Sequence, residues 1–217
     1  NRLYSSIAPD FRSENTHLLD IVNEITRATD YQGTFVIDRG GDRDKLLNPW
    51  SQNPHIDFIV RQRGDRHLIY RNRPQICSHL ASKCRKPYSQ TITRVNRNGK
   101  EKTYDLKFGY MPVRLPSFPK RKLFMVVISG FGNEPIMLLT TLPMRRNRKV
   151  VWDIVESYIA RWRIEETIRY IKQSYVLEDV RLHTYQRLKN IITIVMAAAF
   201  FNCVYLGLKT RLEILVG

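Results

Sequence analysis

Apolar positions change period along the chain. Leu18, Leu19, Ile21, Val22 and Ile25 recur at helical spacing and predict a short helix over residues 14–28. Thr34 to Asp38, TFVID, is a compact β-branched and aromatic run that reads as a strand. It ends in RGGDRDKLL, where Gly40 and Gly41 permit a turn before a helix expected from about Asp42 or Asp44. DFIVRQR, Asp57 to Arg63, reads as a second strand. Strand, helix, strand in that order predicts an α/β core with a parallel pair.

From about residue 66 to 142 the signals are mainly strands: HLIYR, QTITRVNRNGKEKTYDLKF with Asn98-Gly99 as a hairpin turn, KLFMVVISG and PIMLLTTL. This predicts an antiparallel β-rich insertion after the α/β start. Helical spacing resumes near Asn147, runs to about Ser174, and returns in a long helix from about Tyr185 to Leu208. The expected division is therefore 1–65 for a partial α/β core, 66–142 for the insertion and 143–217 for a helical remainder. No internal repeat or low-complexity tract interrupts this order.

Charge adds a partner. The chain carries 36 Lys and Arg against 20 Asp and Glu, a formal charge of +16 in 217 residues. Such a surface attracts a polyanion, nucleic acid ahead of an anionic membrane. The basic residues are spread through structured segments (RQRGDR from Arg61, RNR from Arg71, PKRK from Pro119, RRNRK from Arg145), which suits gripping a backbone more than a disordered arm. Three cysteines, Cys77, Cys84 and Cys203, form no CxxC pair and fit free thiols in a reducing compartment. Cys77, His79 and Cys84 lack a fourth ligand at finger-like spacing, so a zinc site is disfavoured. Ile191 to Leu208 is apolar for 18 residues but interrupted by Asn202, and is expected to be a buried core helix rather than a membrane span. The first residue is Asn, and no leader pattern follows it, so a fragment or processed product is expected.

Chemistry concentrates in YIARWRIEETIRYIK, Tyr158 to Lys172. At roughly 100° per residue, Tyr158, Arg161, Glu165, Arg169 and Lys172 fall on one narrow face of a helix, with Ile164, Ile168 and Ile171 on another, apolar side. A solvated face with i,i+4 ion pairs has the same pattern. A second carboxylate changes the balance. Asp38 ends a strand where open α/β sheets place ligands, although an Asp before Gly-Gly is also an ordinary turn or cap residue. Two carboxylates with Arg and Lys beside them are what a magnesium site for phosphoryl transfer requires. No GxxxxGK[ST] loop is present, which disfavours a nucleotide hydrolase.

The spacing Tyr158-x2-Arg161-x3-Glu165-x6-Lys172 resembles the Tyr-Arg-Glu-Lys signature of bacterial insertion-sequence DDE transposases of the IS-four type. VIDRGGD, Val36 to Asp42, is similar to the segment holding that family's second catalytic Asp, and PIMLLTTLP and RWRIEE are similar too. The resemblance implies a ribonuclease-H-like core interrupted by the β-rich insertion. It implies cut-and-paste DNA transposition with metal-dependent strand cleavage and strand transfer. Asp38 and Glu165 would be catalytic, metal-binding carboxylates for Mg2+, with Mn2+ as a substitute. Tyr158 and Arg161 would hold a phosphate near the transposon end and Lys172 the terminal backbone, with Arg39 and Arg169 adding contacts. Glu166 is off the signature position. Partners would be double-stranded DNA, as transposon ends and target, with no membrane. A dimer on DNA is expected for the full-length parent, in a prokaryotic cytoplasm near the nucleoid.

One departure stands out. A DDE enzyme needs a first Asp on an earlier strand, yet neither Asp10 nor Asp20 follows a strand-like run. Amino-terminal truncation is therefore expected, with this fragment inactive alone. A non-catalytic DNA-binding relic or domesticated derivative is the alternative.

Overall fold

The computed structural model describes residues 12–95, 101–176, 179–182 and 184–206. It divides into two compact units: Ser13–Arg161, and Trp162–Gly217 with Asn1–Arg12.

The first unit opens with α1 (Glu14–Ala28), whose bounds are those of the periodic stretch. Ser13 caps it, its hydroxyl accepting the Thr16 N–H at 3.2 Å. Then follow β1 (Thr34–Ile37), α2 (Asp44–Gln52), β2 (Asp57–Arg61), β3 (His67–Tyr70), β4 (Arg73–Ile76), α3 (Cys77–Lys83), β5 (Tyr88–Val95), β6 (Glu101–Leu115), β7 (Phe118–Ser129), β8 (Ile136–Thr140) and α4 (Arg148–Ala160). As expected from strand, helix, strand, β1 and β2 are parallel, with Val36 opposite Ile59 and Ile37 opposite Val60.

The strands form one mixed, mainly antiparallel sheet in the order β1-β2-β8-β7-β6-β3-β4, with β5 on the free part of β6. β8 runs antiparallel beside β2, so the β-rich stretch continues the sheet that β1 and β2 begin. Burial explains why. Phe58, Ile59 and Val60 in β2 and all of β8 are buried, and such unbroken apolar runs need cover on both faces. On one face Val22, Leu46, Leu47, Trp50 and Leu80 of α1, α2 and α3 pack with Phe58, Val60, Leu123 and Met125. On the other, Val151, Ile154, Val155 and Tyr158 of α4 pack with Ile59, Phe108, Val126 and Leu138.

Two elements escape the sequence pattern. β4 contains Pro74 and lies at a sheet edge, where the missing donor breaks no ladder bond. α3 follows it directly and buries Cys77, Leu80 and Ala81. The Asn98-Gly99 turn lies outside the described residues, but the strands it would join pair as expected, Val95 opposite Glu101.

The helix read as continuous from Asn147 to Ser174 is interrupted. α4 ends at Ala160, and α5 (Trp162–Ser174) starts the second unit. Arg161 is the junction, its N–H turned back to the Ile159 carbonyl. The apolar stripe does not continue through the break: α4 buries its stripe, whereas Ile164 and Ile168, expected on a buried side, are 58% and 50% exposed.

The second unit also holds α6 (Tyr185–Phe200), capped by the Thr184 hydroxyl accepting the Arg187 N–H at 3.3 Å. A π-helical turn, Phe201–Leu206, follows it, and the rest of the helix expected to Leu208 lies outside the described residues. Asn202 Nδ2 donates to the Tyr175 hydroxyl at 3.0 Å, tying this turn to the end of α5. α6 is not the fully buried helix expected: Val195 and Ala199 are buried while Ile194 and Phe200 are each 63% exposed. Among the described residues no helix is long and apolar enough to cross a membrane.

Candidate active site

Asp38 leaves the carboxyl end of β1 and caps a single 3-10 turn, Arg39–Gly41. Its Oδ1 accepts the Gly40 N–H at 2.8 Å, and the side chain is otherwise exposed. The turn-cap reading of Asp38 is therefore borne out, and its carboxylate is exposed at the strand end. Gly41 keeps the turn against the sheet, since a Cβ there would sit 2.6 Å from Ile37 Cγ2 and 3.3 Å from Val60 Cγ1.

The next acidic residue anchors the turn. Asp42 is buried, and its Oδ2 accepts the Arg63 N–H at 2.7 Å while Oδ1 accepts Arg66 Nε at 2.6 Å. Arg66 also reaches Asp44 at the start of α2. Burial of Arg66 works to lower its pKa, but the Asp44 hydrogen bond and the charges of Asp42 and Asp44 outweigh it, and the net shift is upward. By sequence alone Asp42 marks only a helix start. Its signal was present: an Asp straight after Gly-Gly, with the Arg-rich RQRGDR segment about one element downstream.

β1 and β2 are parallel and end on the same side, so Asp38 and Arg39 emerge beside the end of β2 that carries Arg61 and Arg63. Arg39 is exposed. Arg39 and Arg61 thus lie at the ends of neighbouring strands, while Arg63 is paired with Asp42 at 3.7 Å and Asp65 at 3.9 Å.

Tyr158 and Arg161 meet at the end of α4, the guanidinium carbon lying 5.7 Å from the ring centroid. Tyr158 is fully buried in the α4 core cluster, so it is a pedestal for Arg161 rather than part of an exposed polar row. Arg94 of β5 donates to the Ile159 carbonyl at 3.3 Å, a further cation at this helix end.

Residues 6–201 match the transposase DDE domain family. The chain belongs to that family. No curated protein matches it. A transposase domain works on DNA, which accounts for the +16 charge.

In the second unit of this transposase domain, Glu165 lies in the first turn of α5 and is exposed, and Lys172 lies in the last turn. That polarity suits the helix dipole at both ends. Arg169 and Lys172 line one recess of ≈250 Å³ with Gln173, Val176 and Asp179. The side chain of Glu166 lies outside the described residues. The structure thus brings together Tyr158 with Arg161 in one unit, and Arg169 with Lys172 in the other. Among the described residues no three His, Cys, Asp or Glu side chains gather into a metal cluster. Cys77 and Cys84 are buried free thiols, and Cys203 lies among the side chains outside the described set.

Proposed function

We propose that this chain is part of the catalytic domain of a DDE transposase of the Tyr-Arg-Glu-Lys type, built on a ribonuclease-H-like core. The activity is cut-and-paste transposition, by DNA strand cleavage and strand transfer. The observation that carries the reading is that one family match spans both Asp38, at the end of a parallel strand, and Glu165, in the first turn of a helix flanked by Arg and Lys.

Exposed carboxylate oxygens suit a hard divalent cation such as Mg2+ or Mn2+, and Asp38 and Glu165 are the residues that would hold it. Bound there, the ion would supply Lewis-acid stabilisation of charge at phosphorus. The protein's own groups position the DNA. Arg161, steadied on the Tyr158 ring, and Arg39 would hold phosphates, while Arg169 and Lys172 would hold the terminal backbone. The partners are double-stranded DNA ends and target inside a prokaryotic cell, with a dimer formed on DNA by the full transposase.

A third carboxylate is needed for the two-metal site. Asp20 sits mid-helix in α1 rather than at a strand end, and Asp10 lies outside the described residues. We propose that residues 1–217, in which Asp38 and Glu165 are the two assigned carboxylates, bind DNA but do not cut it. The test is Glu165→Gln in a transposase containing this chain: strand transfer is expected to vanish while end binding persists. Undiminished transfer would sink the assignment, and Mg2+-dependent nicking by residues 1–217 would refute their inactivity.

A further inference from the structure

The β3–β4 hairpin turns on Arg71 and Asn72, with φ of 50° and 62°. Two left-handed residues make the tight turn that matches strand twist, a place favouring Asn or Gly. Arg is a costly residue there, because its Cβ crowds the backbone. The strained side chain is also held: its guanidinium carbon lies 5.2 Å from the Tyr70 ring centroid.

Beside this hairpin the sheet is uncovered. Along β6, Met111, Val113 and Leu115 are buried while Pro112 and Arg114 are exposed. Ile69 of β3 is opposite Arg114, and Phe124 of β7 is opposite Pro112, so these residues share one face. Lys122 extends over the Phe124 ring at 5.2 Å, and Tyr110 meets that ring edge-on at 6.0 Å. The result is a groove of ≈450 Å³ with Tyr70, Arg71, Asn72, Arg114 and Lys122 in its lining and no carboxylate among its lining residues. Among the described residues no ion pair engages Arg71, Arg114 or Lys122.

We propose that this groove binds the phosphate backbone of duplex DNA, as a contact additional to those proposed for Asp38 and for Glu165; the proposal rests on the reading that the chain acts on DNA. Three cations around one concavity repel each other unless a polyanion lies between them. Two of them are stacked on rings, so little freedom is lost on binding. A convex backbone ridge fits a concave groove, whereas a flat membrane does not.

The register places the groove within reach of one duplex. Val36, Ile59, Thr140, Phe124 and Pro112 lie in one row across five strands. Arg114 is two residues to one side of that row and Asp38 two residues to the other. Four strand spacings and four residue steps along the sheet come to roughly 23 Å, or about seven base pairs of duplex. The groove also opens on the face that α4 covers elsewhere, since Ile59 and Phe108 of that face pack on α4.

The test is fluorescence anisotropy of residues 1–217 with a labelled duplex of about 30 base pairs, titrated at several salt concentrations. The variant Arg71→Ala/Arg114→Ala/Lys122→Ala is expected to bind about tenfold more weakly near 100 mM salt, with the log–log salt slope smaller by about 2 to 3. Arg71→Gly gives a second signature: the melting temperature rises as strain is relieved, while DNA affinity falls. Unchanged affinity in the triple variant overturns the groove assignment. If Lys172→Ala still weakens binding in that case, the proposed function stands without it. Retained duplex binding with lost binding to phosphatidylserine vesicles or duplex RNA also overturns the proposal.

Discussion

Asp42 and Arg66, 24 residues apart in sequence, form a shielded ion pair with Oδ1 to Nε at 2.6 Å and side-chain exposures of 0% and 9%. Asp42 closes the turn that begins at Asp38, and Arg66 lies in the link from β2 to β3. The pair therefore clamps the turn carrying the strand-end carboxylate to the strand beside it. Asp42→Ala leaves Arg66 with Asp44 as its remaining partner and the Arg63 N–H without its acceptor, and should cost about 2 to 4 kcal/mol. Urea unfolding should show a lower midpoint with an unchanged m-value.

Gly41 is tested by crowding. Gly41→Ala places its Cβ 2.6 Å from Ile37 Cγ2, so the turn or β1 must move. A loss of about 1 to 3 kcal/mol is expected. Gly132→Ala is the control, because nothing lies within 4 Å of a Cβ there. Its melting temperature should match the parent.

Tyr158 and Lys172 should fail in different ways. Tyr158 is wholly buried, and Tyr158→Ala should cost about 3 to 5 kcal/mol and loosen Arg161 with it. Lys172 is exposed, so Lys172→Ala should shift the unfolding midpoint far less than Tyr158→Ala, yet weaken duplex binding and lower its salt slope by about one. Denaturation and anisotropy on the same two variants read this contrast directly.

Alkali should unfold the domain partly through one thiol. Burial foremost, with the Asp42 charge, pushes Cys77 from 9.0 up to about 12. The folded state holds this proton more tightly than the unfolded chain. Its stabilising contribution is therefore complete below pH 9 and is lost as pH rises from there towards 12. The slope reaches at most about 1.4 kcal/mol per pH unit. Cys77→Ala should flatten the fall between pH 9 and 11 in pH-dependent urea midpoints, relative to the parent.

Much of the scaffold was legible because it is local. The α1 stretch contains its own cap and periodicity, and TFVI and DFIVR carry the β-branched runs that become the parallel pair. The place of Asp38 was legible for the same reason: an Asp directly after a strand and before Arg-Gly-Gly is confined to a turn. The Tyr158 to Lys172 row was only half legible. Helical spacing correctly put Arg161 near Tyr158, but it assumed one continuous helix and could not weigh which face the sheet would take.

The sequence by itself determined most of the secondary elements, the basic charge and the spacing that points to a DDE transposase, since each depends on neighbours within a few residues. Tertiary structure alone decided that β8 lies against β2, that Tyr158 is core rather than surface, that Asp42 finds Arg66, and that Arg71, Arg114 and Lys122 share a groove. Those outcomes depend on which apolar faces bury each other across the sheet, and that choice brings together residues whose separation along the chain carries no local signal.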